Sequence, residues 1–112
     1  MPTWTQSRDV IELTTDEDKL LTADFTNIIY GDDLASVVRV EETTDIGLVL
    51  GTGTINTSGT VSVDGQTIAQ DSCVQFMCDC TAADAGEGVI RVVVRTDDGN
   101  QHSLDCRVRV YA

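Results

Sequence analysis

The chain has 112 residues, of which 41% are apolar, and seven basic against nineteen acidic residues give it a formal net charge of −12. A chain of this length forms one domain with a single core, and its apolar content argues against intrinsic disorder. The charge disfavours nucleic acid and anionic membranes as partners, because affinity for phosphate groups depends on Lys and Arg. No apolar run is long enough to span a bilayer. Because the charge also disfavours nucleic acid and anionic membranes, we expect a protein partner.

The first thirteen residues, MPTWTQSRDVIEL, lack the basic leader and apolar block of a Sec signal peptide, so export is not expected. We predict an N-terminal arm over residues 1–13 and one domain over residues 14–112. Trp4 has polar neighbours, and a lone aromatic on a polar arm is typical of an interface hot spot. Val10, Ile11 and Leu13 are expected to add a strand to a neighbour's sheet. The alternative, that Trp4 belongs to the core, stays open at this stage.

Short β-rich runs follow the arm, with Gly- and Asp-containing turn signals between them. Examples are Ala35–Val40 (ASVVRV), Gly47–Leu50 and Thr60–Val63. No helical period extends over a dozen residues, whereas alternation of apolar and polar residues recurs. This combination predicts an all-β fold, an antiparallel β-sandwich.

The clearest strands lie near the C-terminus, at Val89–Thr96 and Leu104–Tyr111, and Asp97–Asn100 between them is a hairpin signal. Alternation predicts which side chains of these strands, together with Phe76, are buried. The predicted core residues are Phe76, Ile90, Val92, Val94, Leu104, Val108 and Val110. The opposite faces carry a basic stripe, which is either a solvated face or a docking face for an acidic neighbour. The stripe consists of Arg91, Arg95, Arg107 and Arg109.

Three of the four cysteines lie in the stretch Ser72–Cys80 (SCVQFMCDC). In a strand, Cys78 and Cys80 would share a face with Phe76, which predicts buried free thiols that act as small apolar residues. A disulfide from Cys78 or Cys80 to Cys106 stays open, although cytosolic thiols are normally reduced.

Nothing in the pattern indicates catalysis or a cofactor. Zinc needs converging ligands, and His102 and Cys106 on one strand would be roughly 13 Å apart. A cysteine nucleophile needs an adjacent base, and His102 is the chain's one histidine. We therefore expect no enzyme activity, no catalytic residue, no cofactor and no bound metal.

Two segments resemble the small immunoglobulin-like structural proteins of tailed bacteriophages, a family often described as fibre–tail adaptors. Asp24-Phe25-Thr26 followed by Gly31–Ser36 is similar to the family's opening strand and turn. Gly86–Gly99 and Cys106–Val110 are similar to its hairpin and final strand. The chain departs from the family at Phe25, where tryptophan is usual, and in Thr52–Gln70, which carries an extra hairpin.

The resemblance implies an immunoglobulin-like sandwich in a virion that is assembled in the cytoplasm of the host bacterium. We expect a non-enzymatic protein that joins tail, fibre or head–tail components through a sandwich face and the N-terminal arm. The expected partners are other virion proteins, with copies arranged as a homo-oligomer or symmetric array. One alternative is a capsid decoration (cement) protein, and another is an immunoglobulin-like adhesion domain of a bacterial surface.

Overall fold

The computed structural model describes residues 3–5 and 9–112, which form an all-β sandwich of eleven strands and one short helix. The all-β sandwich predicted from the sequence is confirmed. In chain order the elements are β1 (Thr3–Trp4), β2 (Val10–Thr14), β3 (Asp18–Asp24), α1 (Thr26–Ile29), β4 (Leu34–Glu42), β5 (Val49–Leu50), β6 (Thr54–Ile55), β7 (Val61–Val63), β8 (Gln66–Ile68), β9 (Cys73–Asp79), β10 (Gly86–Thr96) and β11 (Gln101–Tyr111).

Two sheets face each other across the core. The first sheet has the order β1-β3-β9-β5, with β6 also paired to β9, and the second has the order β2-β11-β10-β4. Strands β7 and β8 form a separate hairpin. The pairs β1–β3 and β2–β11 are parallel and the other pairs are antiparallel. Both sheets are therefore mixed, and the prediction of a purely antiparallel sandwich is wrong. Within the described residues no helix is long and apolar enough to cross a membrane.

The hairpin of β10 and β11 is the longest ladder and runs from the pair Gly86–Val110 to the pair Arg95–Gln101. Its alternation places one side of each strand in the core, as the sequence pattern indicates. All seven predicted core residues are buried. Gly99 at the turn has a φ of +83°, a conformation that glycine adopts without steric cost.

The predicted N-terminal arm is wrong for the described part of residues 1–13. Trp4 is 0% exposed and stacks on Phe76, with ring centroids 6.0 Å apart, and its Nε1 donates a 2.8 Å hydrogen bond to the carbonyl of Arg107. Ile11 and Leu13 are also buried, because β2 adds to the edge of the chain's own second sheet instead of a neighbour's. The chain therefore uses these apolar side chains to complete its own core.

The hairpin β7–β8 belongs to the extra segment noted in the sequence, and it lies against the outer side of the first sheet. Val63 and Gln66 line one cavity together with Thr3 of β1. Beneath this region Thr22 and Cys73 are buried, although both lie outside the main core. The hairpin thus covers one half of the outer face of the first sheet and leaves the other half open.

Candidate interaction surface

The four cysteines are buried free thiols, as predicted for Cys78 and Cys80. The Sγ atoms of Cys78 and Cys80 are 4.0 Å apart and are not bonded. Burial, followed by the nearby Asp24 carboxylate, raises the pKa of Cys73 to about 11. Burial is likewise the main cause of the raised pKa of the other three thiols. Because the thiolate is the nucleophile and metal ligand, the raised pKa keeps these thiols protonated at neutral pH and lowers their reactivity.

Among the described residues, no group of three or more His, Cys, Asp and Glu side chains is placed to hold a metal ion. His102 lies at the end of the sandwich, where it lines an open cleft with Tyr30 and Asp98.

The outer face of the second sheet carries the predicted basic stripe, and β4 adds one further arginine to it. We call this surface the arginine face. Its arginines are Arg39, Arg91, Arg95, Arg107 and Arg109. Three of them form ion pairs within the face: Arg39 with Glu41 at 2.9 Å, Arg91 with Asp105 at 2.9 Å and Arg109 with Glu87 at 2.7 Å. Much of this positive charge is therefore balanced locally.

Charge is nevertheless distributed unevenly over the molecule. The arginine face holds five of the seven basic residues, and the carboxylates on the same side are Glu12, Glu41, Glu87 and Asp105. The other fifteen acidic residues belong to the rest of the chain, whose two basic residues are Arg8 and Lys19. One face is thus close to neutral while the remainder of the molecule is strongly negative.

The uncovered half of the first sheet's outer face exposes apolar side chains from three adjacent strands. Leu20 of β3 is 51% exposed, Met77 of β9 is 42% exposed and Val49 of β5 is 58% exposed. Leu20 and Met77 are directly opposite each other in the ladder of β3 and β9. Val49 of β5 is directly opposite Asp79 of β9. Gly51 lies beside Met77, since a Cβ added to Gly51 would be 3.4 Å from the Met77 Cβ. Because Gly51 has no side chain, it does not cover Met77.

Two carboxylates border these apolar side chains. Asp18 and Asp79 are directly opposite on β3 and β9, with the side chains on the outer side of the sheet. Like charges in this cross-strand position destabilise a sheet. Asp79 accepts hydrogen bonds from the hydroxyl and amide of Thr81, which lower its pKa and keep it ionised. We call the surface formed by Asp18, Leu20, Val49, Met77 and Asp79 the open face.

The structure separates the residues predicted to form an interface. Trp4, Ile11 and Leu13 are buried in the core, as described above, and are not accessible to a partner. Val10 is 43% exposed and is the register partner of Arg107 on the arginine face. Sequence reasoning did not identify the open face, although the alternation in Cys73–Cys80 did place Met77 on the outer side.

No family model and no curated protein matches the chain. Among solved structures, the solution structure of amebosin is similar, with a TM-score of 0.50 over 97% of this chain and 96% of that chain. The two sequences are 18% identical, so the similarity shows a shared fold and nothing about function.

Proposed function

We propose that this protein is a non-enzymatic structural protein of a tailed phage, which joins tail or fibre components by protein–protein contacts. The observation that carries the binding role is the open face, where three large apolar side chains are exposed side by side on an acidic molecule. Contiguous apolar surface of this kind is typical of protein-binding sites, because burying it in a partner removes it from water.

The two opposed carboxylates of the open face also support a partner there. Asp18 and Asp79 repel each other across the ladder, and a basic side chain from a neighbour would relieve that repulsion. A partner that presents a cation with apolar flanks therefore fits the open face better than a purely apolar partner. The virion setting rests on the sequence resemblance of Asp24–Ser36 and Gly86–Val110 to the phage family.

Mass spectrometry of purified particles of the encoding phage tests this proposal. We expect the protein in the particle, at a copy number that corresponds to a few rings. A copy number in proportion to the capsid subunits would instead indicate a cement protein, and absence from the particle would overturn the virion assignment.

The role of the open face is tested by complementing a phage that lacks the protein with single-residue variants. Leu20→Asp should fold normally but fail to enter particles. The matched control is Val38→Asp, which changes an apolar residue of similar exposure, 42%, on β4 and should be incorporated. Incorporation of both variants would show that the open face is not the binding surface.

A further inference from the structure

The arginine face carries a row of side chains with the chemistry that the open face requires. Val10, Arg107 and Val89 are register partners across β2, β11 and β10. Val10, Val89 and Arg107 also line one cavity, so the three side chains are neighbours in space. Glu87 lines the same cavity, and its carboxylate is paired with Arg109. A cation is thus held between two apolar side chains on the outer side of the sheet.

The open face has a matching arrangement in two rows. One row holds Leu20 and Met77, and the next holds Asp18, Asp79 and Val49. Both surfaces are faces of twisted sheets, and such faces pack against each other about 10 Å apart with interdigitating side chains. Packing of the two faces would therefore bring their apolar side chains into contact and at the same time place Arg107 between Asp18 and Asp79.

We propose that copies of this protein stack on one another, with the open face of one copy on the Val10–Arg107–Val89 row of the next. This inference deepens the proposed function, since it names the occupant of the open face as a second copy. The two surfaces lie on opposite sides of the sandwich, so the contact is heterologous, and repeated contacts of this type close into a ring or extend into a filament.

The choice of a second copy rests on charge complementarity within one chain. Among the described residues, fifteen acidic residues and one basic residue, Lys19, lie away from the arginine face, so most of the described surface repels an identical copy. The arginine face is the side on which an identical copy meets little net negative charge, and Arg107 is exposed there. Head-to-tail stacking is thus the orientation in which this repulsion is smallest.

Sedimentation of the purified protein over a wide concentration range tests the proposal. We expect the wild type to self-associate at physiological salt. Asp18→Lys and Arg107→Glu should each weaken association by roughly tenfold or more, because each places like charges across the contact. Combining both substitutions in one chain should recover part of the lost association, because the Asp18–Arg107 charges are then exchanged while Asp79 still faces the new carboxylate at position 107.

One variant with a charge change outside the contact serves as the control. Asp33→Lys should associate like the wild type, and circular dichroism should show that all variants are folded. A monomeric wild type, undiminished association of the single variants, or no recovery in the double variant would each overturn the stacking. If the protein stays monomeric while Leu20→Asp is still excluded from particles, the stacking inference fails and the proposed function stands.

Discussion

Thr3 and Thr22 are register partners at the covered part of the first sheet, and they differ in how their buried hydroxyls are satisfied. Thr3 is 5% exposed and Thr22 is 2% exposed. The Thr22 hydroxyl accepts a hydrogen bond from Gln75 Nε2 at 3.2 Å. The Thr3 hydroxyl has no hydrogen-bond partner among residues 3–5 and 9–112. A buried polar group without a partner costs free energy, and the same group with a partner does not.

Replacing these threonines by the isosteric valine should therefore change stability in opposite directions. Thr3→Val should raise the free energy of unfolding by about 1 kcal/mol, because it removes an unsatisfied hydroxyl. Thr22→Val should lower it by about 1 kcal/mol, because it leaves the Gln75 amide without its acceptor. Urea unfolding measures both values, and destabilisation by Thr3→Val would contradict the assignment.

The thiols make stability depend on alkaline pH. The pKa of Cys73 is raised by burial to about 11 in the fold, against about 8.5 for a free cysteine. Between these values the unfolded chain loses the thiol proton while the folded chain keeps it. Stability that is present below about pH 8.5 is therefore lost as the pH rises toward 11, by up to about 1.4 kcal/mol per pH unit for each thiol.

Urea unfolding under reducing conditions, repeated from neutral to alkaline pH, measures this loss. Cys73→Ala should show a smaller fall in stability over the same range, because one titrating group has been removed. Equal slopes for the wild type and the variant would mean that Cys73 ionises equally in the folded and unfolded states.

Asn56 has a structural role that was not apparent from the sequence. Its Oδ1 accepts hydrogen bonds from the amides of Ser72 and Cys73, and its Nδ2 donates to the carbonyls of Gly59 and Ala69. The Asn56-Thr57-Ser58 stretch matches a glycosylation signal, but the amide is occupied in tying the hairpin segment to the start of β9. Such a role depends on backbone groups from distant positions, which no local pattern reveals.

At the scale of elements, the N-terminal strands hold the two sheets together. Trp4 belongs to the first sheet through β3, while its indole nitrogen bonds to β11 of the second sheet. Trp4→Ala should lower the free energy of unfolding by about 3–5 kcal/mol, because it removes a buried ring and a buried hydrogen bond. Removing residues 1–13 should abolish cooperative unfolding.

Tyr111→Ala provides the control, since this aromatic is 44% exposed and its loss should cost about 1 kcal/mol or less. Thermal and urea unfolding followed by circular dichroism measure all three proteins. An unchanged melting temperature in the truncated chain would show that the segment is an arm after all.

The elements that could be predicted have a regular alternation of apolar and polar residues. Those that could not be predicted are short or have an irregular pattern. Val89–Thr96 and Leu104–Tyr111 alternate strictly, so their strands and buried faces were predictable. Strand β1 has two residues, too few for any period, and its polar neighbours suggested an arm. In β3 the buried run Leu21–Ala23 interrupts alternation, because one of its faces lies in the core and the other lies near the hairpin.

The open face could not be predicted for the same reason. Leu20, Val49 and Met77 come from three separate parts of the chain, and their proximity depends on the register of β3, β5 and β9. Local alternation indicates which side of a strand a residue occupies. It does not indicate whether another element covers that side, and here the hairpin covers only half of the sheet.

At the scale of the whole molecule, repulsion among carboxylates should dominate the response to salt. The molecule measures 41 × 27 × 23 Å, and at 0.01 M ionic strength charges interact over about 30 Å, so most of the nineteen acidic residues repel one another. Adding salt should therefore raise the melting temperature. The exposed ion pairs of the arginine face act in the opposite direction, but solvent screens them and their contribution is small.

Calorimetry at increasing sodium chloride concentrations checks this expectation. Asp33 and Asp97 lie on neighbouring loops, where the Asp97 amide donates to the Asp33 carbonyl at 2.9 Å. The double variant Asp33→Asn with Asp97→Asn should be more stable than the wild type at low salt and should respond less to added salt. A melting temperature that falls with salt would show that attractive ion pairs dominate instead.

The bond from Trp4 to Arg107 joins positions 103 residues apart, and this separation matters during synthesis of the chain. Strand β2 pairs with β11 and Trp4 of β1 bonds to it, so both of these strands are synthesised long before β11. Closure of the sandwich must therefore wait until β11 has been made and has left the exit tunnel, and long-range contacts of this kind form slowly. Until then Trp4, Ile11 and Leu13 remain without their final partners, so the nascent chain is the state most in need of chaperone protection.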